Sequence, residues 1–377
     1  MACVMGEIDL VSALGHAGIP CAVVAIKGDP ATYSRHARDQ LAWYDPWEES
    51  EVMLASLIDW ARRQSERPVL FFNGDHDLLL VSRNRTRLAA LFDFVIAEGE
   101  LVEDLVDKDR FMTLARRLHL PVPATIAFET KATSPEAIEL DFPIIVKPLT
   151  RRESTWRQVS GGSKALRFDD RKELERAWEH LAGQGRVLAQ TLIVGPEARI
   201  ESYHVYIAPD GEPLCEFTGR KIRTLPEAFG DTTALKTTDS EDVRSLGRDV
   251  TEALTLTGVA KLDFKRDNAG RLWLLEVNPR FNLWNHVGAV AGANIPAAVY
   301  ANLTGRQRVP TCAPRPGVTW CHPTRDARAA HRSGIGYLTW ARWAIRCDAR
   351  WALSVRDPMP FVRGVLVRRM RSRFGRP

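Results

Sequence analysis

Val259-Ala260-Lys261-Leu262-Asp263-Phe264 and Trp273-Leu274-Leu275-Glu276-Val277-Asn278-Pro279-Arg280 are two apolar runs separated by Arg266-Asp267-Asn268-Ala269-Gly270-Arg271. Asp, Asn and Gly between apolar runs predict a β-hairpin. Folded about Asn268-Ala269, it brings Asp263 close to opposite Glu276, and alternation puts Glu276 and Asn278 on one face. Two carboxylates and one amide oxygen then converge. Such a hard-oxygen cluster suits Mg²⁺, or Mn²⁺, when the ion also holds nucleotide phosphates. The alternative is a solvated hairpin face. Against it, Trp273, Leu274, Leu275 and Val277 make the second strand apolar and buried, where carboxylates without a cation are costly.

The other motifs are read outward from the hairpin. Phe142-Pro143-Ile144-Ile145-Val146-Lys147-Pro148 predicts a buried strand, and a lysine in it needs an anion unless it snorkels to solvent. Ser160-Gly161-Gly162-Ser163-Lys164 allows close backbone approach to a phosphate, or is a flexible turn. Arg220, Lys221 and Arg223 follow a predicted strand, Pro213 to Gly219, and either neutralise a phosphoryl group or are solvated. Arg280 lies two residues beyond Asn278. Continued strand geometry points it into the same cavity, toward a substrate carboxylate or a structural acid.

At the N-terminus, Ala2 to Met5, Glu7 to Ala17 and Pro20 to Ile26 read as β-α-β, the start of an open α/β sheet. No G-x-G-x-x-G is present, so a dinucleotide site is not supported. Helices are predicted at Val52–Arg63, Leu78–Leu91, Val106–Leu118, Leu246–Leu256 and Asn294–Asn302, with Gly305 as a C-cap. Strands are predicted at Pro68–Phe72, Phe94–Ala97, Ala165–Phe168, Arg186–Ile193 and Ala198–Ile207.

The chain has 377 residues, 45% apolar and 26% charged, which is the composition of a globular protein of two or three domains. No apolar run approaches the roughly 20 residues that cross a bilayer. Acids at Glu7 and Asp9 and the absence of a basic leader predict no secretory signal and a cytoplasmic protein. Cys3, Cys21, Cys215, Cys312, Cys321 and Cys347 form no C-x-x-C pair and complete no zinc spacing, so reduced, buried thiols are expected. Net charge is +5, and Phe361 to Pro377 holds six arginines and no acid. That segment is a solvated end or a contact for acidic lipid. It has few aromatics and no nucleic-acid motif, so no nucleic acid is expected.

Lys261-x-Asp263-Phe264 and Leu275-Glu276-Val277-Asn278-Pro279-Arg280-Phe281, together with Ile145-Val146-Lys147-Pro148, resemble the ATP-grasp superfamily. Within it the chain looks most like the carboxylate–amine ligases of the D-aspartate-ligase-like branch. The likeness spans about residues 1 to 305, with the motifs in order. It implies an α/β protein. A preATP-grasp open α/β sheet (1–105) would precede a two-subdomain α+β ATP-grasp fold (106–305, lid about 120–190). A Pro-rich linker and a basic, Trp-containing helical extension (306–377) would follow.

The resemblance also implies roles. ATP and Mg²⁺ would be used, with Asp263, Glu276 and Asn278 on the metal. Lys108 and Lys147 would reach the phosphates, and Ser160, Gly161 and Gly162 would form the lid loop. Gln190, Thr191, Leu192 and Ile193 would read adenine, with Gln190 where a glutamate is usual, and Glu197 would hold the ribose. Lys261, Lys221, Arg223 and Arg280 would serve the chemistry. The implied reaction joins a small-molecule carboxylate to an amine through an acyl phosphate, releasing ADP. The alternatives are ATP-dependent carboxylation, acid–thiol ligation, or a non-catalytic ATP-binding protein. A homodimer and membrane-surface contact are further open partners.

Overall fold

A computed structural model of the chain describes residues 1–149, 156, 159–161, 163–305 and 313–370. Three sheets organise it. The first contains β1 (Ala2–Met5), β2 (Cys21–Ala25), β3 (Ala37–Ala42) and β4 (Val69–Phe72), all parallel, in the order β3-β2-β1-β4. The short apolar run of β1, a central strand covered on both faces, is buried throughout, and so is that of β4 at the sheet's edge, where Asp93 bridges to Val69. Helices α1 (Ile8–His16) and α2 (Ser50–Ala61) bring Leu10 and Leu14 to one core and Leu54 and Leu57 to another. Strand β3, Ala-Arg-Asp-Gln-Leu-Ala, escaped the sequence reading because an edge strand needs no apolar face.

Two further expectations change here. Leu78–Leu91 is two helices, α3 (Asp75–Arg83) and α4 (Arg85–Ala89). They break at Asn84, whose side-chain amide donates to Leu80 O at 3.0 Å and competes with the helix. Phe94–Ala97 forms no strand; Asp93 makes one isolated bridge to Val69.

Helices α5 (Gly99–Val106) and α6 (Lys108–Arg117) lead to a small antiparallel sheet. It contains β5 (Thr125–Glu129), β6 (Ile144–Pro148), β7 (Leu166–Phe168) and, after helix α7 (Arg171–Leu181), β8 (Arg186–Thr191), in the order β5-β8-β6-β7. Its core joins Ile144, Val146 and Val187 to Leu174 and Leu181 of α7.

The large sheet follows: β9 (Ile200–Ile207), β10 (Pro213–Leu225), β11 (Asp231–Thr238), helix α8 (Glu241–Ala253), β12 (Gly258–Arg266) and β13 (Leu272–Asn278). Strand β10 runs past Gly219, so Arg220, Lys221 and Arg223 lie within it rather than beyond its end. Helices α9 (Asn285–Ala291) and α10 (Ile295–Thr304) come next, and Gly305 closes α10 at φ +63° as expected.

The extension is not wholly helical. It adds β14 (Thr319–Cys321), helices α11 (Pro323–Arg332) and α12 (Tyr337–Arg346), and β15 (Ala349–Arg350). The sheet order is β13-β12-β9-β10-β11-β14-β15. Trp320 of β14 is buried in the core shared with β1 and α1, so this segment is part of the body. Trp351 follows β15 in a turn, outside any helix of the extension. Cys3, Cys21, Cys215, Cys321 and Cys347 are free and buried, as expected, and Cys312 lies outside the described residues.

Candidate active site

The hairpin of β12 and β13 forms as read, with Asp263 directly opposite Glu276 and Lys261 opposite Asn278. Directly opposed residues share a face, so all four side chains stand on one side of the sheet. One irregularity makes this so. The register shifts between Asp263 and Phe264, leaving Leu275 as the extra residue of a bulge. Strict alternation would have put Glu276 on the face of Leu274, which is core. The bulge turns Glu276 toward Asp263.

Around these residues the hydrogen bonds are closed. Lys261 Nζ stands 2.6 Å from Asp263 Oδ2, and Ser202 Oγ of β9 donates to Asp263 Oδ1. Asn278 Nδ2 donates to Glu276 Oε1 at 3.1 Å, and Arg280 Nη2 to Asn278 Oδ1 at 3.2 Å. Arg280 Nε pairs with Asp75 at the start of α3, tying the end of β13 to the first sheet's loops. Burial lowers the pKa of Lys261, opposed by Asp263.

Beneath Lys261 lies an aromatic stack. His204 of β9 lies against Phe217, ring centres 4.3 Å apart, and Trp284 at 5.1 Å. Lys261 Nζ is 5.5 Å from the Trp284 ring centre. His204 is wholly buried, and neither ring nitrogen has a partner among the described residues. Burial, then Lys261, holds its pKa well below the ordinary value, so it adds no second cation. Trp284 covers Gly219, where a Cβ would come within 2.7 Å of its ring and 2.9 Å of Lys236 O.

A cavity of about 1020 Å³ opens over this face. Lys108, Lys147, Lys221, Lys261, Asp263, Glu276, Asn278 and Arg280 all line it. Lys108, the first residue of α6, donates to Pro148 O and Leu149 O at 2.8 and 2.9 Å. Lys147 Nζ donates to Gln190 Oε1 at 3.0 Å, and Gln190 Nε2 donates to Thr125 Oγ1 at 2.8 Å. Burial lowers the pKa of Lys147, and Glu276 counters this.

The cavity's other end is built from the first sheet's loops and the extension. Glu7, Asp9, Asp29 and Asp45 line it together with Trp320, His322, Arg325 and Trp351, and Trp320 Nε1 donates to Asp9 Oδ1 at 3.0 Å. Glu7 stays exposed to the cavity's solvent, and its pKa is raised, to about 7, by the partial loss of water around it and then by Asp9 and Asp29. Asp9 is raised by burial although His286 and Trp320 approach it, and its Oδ2 is buried without a partner. Burial lowers His322 to about 4. Arg325 and Lys164 both pair with Asp231, at 2.7 and 2.6 Å.

Other expected residues sit elsewhere. Arg223 is removed from the candidate chemistry. Its guanidinium pairs twice with fully buried Asp326 of α11, at 2.9 and 2.7 Å, and lies under the Trp343 ring. Gln190, Thr191, Leu192, Ile193 and Glu197 are not among the residues lining the cavity. Leu192 N–H is taken by Pro143 O, and Glu197 pairs with Lys265 at 3.2 Å. Ser160 has a buried hydroxyl without a partner among the described residues, and Gly161 is left-handed at φ +59°. Gly162 lies outside the described residues, as does most of the stretch before it.

No family model matches the chain. Among solved structures, it superposes on an N5-carboxyaminoimidazole ribonucleotide synthetase in complex with ADP. The TM-score is 0.63 at 15% identity, covering 84% of this chain and 79% of that one. An L-amino acid ligase from Bacillus licheniformis gives a TM-score of 0.62 at 18% identity, covering 84% and 77%. The chain has the ATP-grasp fold.

In sequence, the chain is similar to D-aspartate ligase of Enterococcus faecium (strain Aus0004). They share 23% identity over 240 residues, 61% of this chain and 57% of that protein. It is also similar to D-alanine–D-alanine ligase of Francisella philomiragia, with 27% identity over 185 residues, 46% and 57% of the two chains. The chain thus matches little more than half the length of these relatives.

Proposed function

We propose that the chain is an ATP-dependent, ADP-forming ligase that joins a small-molecule carboxylate to an amine through an acyl phosphate. One observation carries this reading: Lys261, Asp263, Glu276 and Asn278 share one face of a bulged hairpin, in the same cavity as Lys108 and Lys147. The names of the similar proteins agree with it.

The donor set fits Mg²⁺ held together with phosphates. Among the described residues no three His, Cys, Asp or Glu side chains gather as a metal cage. Two carboxylates and an amide oxygen suit instead an ion that takes its remaining ligands from phosphate. Asp263 already has a cation, Lys261, against it. Mg²⁺ on Asp263, Glu276 and Asn278 would neutralise charge on the transferring phosphoryl group.

The chain's own groups do the rest. Lys147, half-buried and donating to the neutral Gln190 amide, and Lys108 receive the phosphates, whose charge adds to that of Glu276 beside Lys147. Arg280, oriented by Asp75 and Asn278, pairs with the substrate carboxylate. Lys261, with Lys221 near it, stabilises the oxyanion as the amine attacks the acyl phosphate. The acidic end takes the amine, and Glu7, titrating near neutrality, accepts its proton.

An ADP-release screen of acids paired with amines, followed by mass spectrometry of the product, tests the reading. An amide product supports it. A product that requires bicarbonate or a thiol instead would move the chain to the carboxylases or acid–thiol ligases.

A further inference from the structure

We infer that the helical segment at residues 359–370 lies on an anionic membrane surface. It starts as Met359–Phe361 and continues through Val362–Val367 to residue 370. Its inner face is committed. Val365 is buried in the same core as Ala31, and Gly364 sits on Pro30, where a Cβ would come within 2.6 Å of the Pro30 Cα. The outer face carries Met359, Val362, Leu366 and Met370, which are 43%, 39%, 43% and 53% exposed. Val362–Val367 is a π-helical turn, in which residues four and five apart come to one side, so Val362 and Leu366 share the outer face. Val355, almost wholly exposed, precedes it.

Arginines flank this stripe. Arg363, Arg368 and Arg369 are exposed, and the sequence continues with Arg371, Arg373 and Arg376. No acid occurs from Phe361 to Pro377. The two nearby acids, Asp357 just before the segment and Asp29 at the start of the turn beneath it, are already engaged. Asp357 accepts from Ser34 Oγ at 2.6 Å and Arg35 N–H at 3.1 Å. Asp29 accepts from Ala31 N–H and lies within reach of Arg368.

An apolar stripe flanked by arginine is what an interfacial helix presents to anionic headgroups. A second copy fits worse, since pairing like faces would set arginine against arginine. Twelve residues cannot span a bilayer, and among the described residues no helix is long and apolar enough to do so. The surface adjoins the cavity, for Gly364 sits on Pro30, next to Asp29 of the cavity wall. The inference is independent of the ligase reading.

Sedimentation of the full chain with phosphatidylcholine vesicles, with and without phosphatidylglycerol, tests it. Binding is expected to the anionic vesicles alone, falling at least about tenfold between roughly 0.1 M and 0.5 M salt. Leu366→Asp with Met370→Asp, both on exposed positions, should weaken binding by about tenfold or more at unchanged melting temperature. If that variant does not fold, the lipid and salt dependence of the unaltered chain decides. Equal binding to neutral vesicles, or no binding to either, overturns the inference. So does a concentration-dependent dimer that the double variant abolishes.

Discussion

Asp263 and Glu276 face each other across the hairpin but differ in what their loss exposes. Asp263→Asn leaves the buried Lys261 ammonium without its anion, so it damages stability as well as any metal site. Glu276→Gln keeps the shape and the acceptor for Asn278 Nδ2, and is the cleaner test. Its turnover should fall roughly 10²-fold or more, with little change in melting temperature, as read by ADP release at saturating Mg²⁺. Near-normal release would remove the metal assignment. Glu7 makes a second prediction. Its folded pKa, about 7, lies above the ordinary value of 4.5. The stability it contributes is therefore full below about pH 4.5 and is lost as pH rises through about 7. Glu7→Gln stays neutral throughout. It should melt higher than the unaltered chain at about pH 8, lose that advantage below about pH 4.5, and flatten the rise of activity through neutrality. Thermal melts across pH, beside pH–rate profiles, check both halves.

At the scale of elements, the Trp284 platform depends on a missing side chain. Gly219→Ala puts a methyl against the Trp284 ring and the Lys236 carbonyl, and the backbone cannot give. It should cost about 1–3 kcal/mol in denaturant unfolding and shift Lys261 enough to lower turnover. Much of this neighbourhood was legible in the sequence, because alternation and turn chemistry are local. The β-α-β start, the β12–β13 hairpin and the Gly305 cap form as read. Three things were not legible. The bulge at Leu275 has no local signature, although it alone turns Glu276 onto the Asp263 face. Ser202 and His204 reach the site only through pairing of β9 with β12, more than fifty residues away. Arg223 looked available because Asp326, which takes it, lies 103 residues further on.

For the whole molecule, the extension is the correction with the widest consequence. Read as an appended basic helical segment, it supplies two strands of the large sheet and one wall of the cavity. Asp326 is its anchor, accepting from Arg223, Thr233 and Trp340 while fully buried. Asp326→Ala strands the largely buried Arg223 and should cost about 3–5 kcal/mol, read by chemical denaturation. A cost below about 1 kcal/mol would mean that the extension is held chiefly by its apolar contacts. One measurement reaches the ligase account most directly: the fate of oxygen-18 placed in the carboxylate of the acid substrate. Attack of that carboxylate on ATP and displacement by the amine must carry one labelled oxygen into inorganic phosphate per amide formed. Labelled phosphate that needs both acid and amine, and is lost with Glu276→Gln, is the predicted result. Amide formed while all the phosphate remains unlabelled would contradict it.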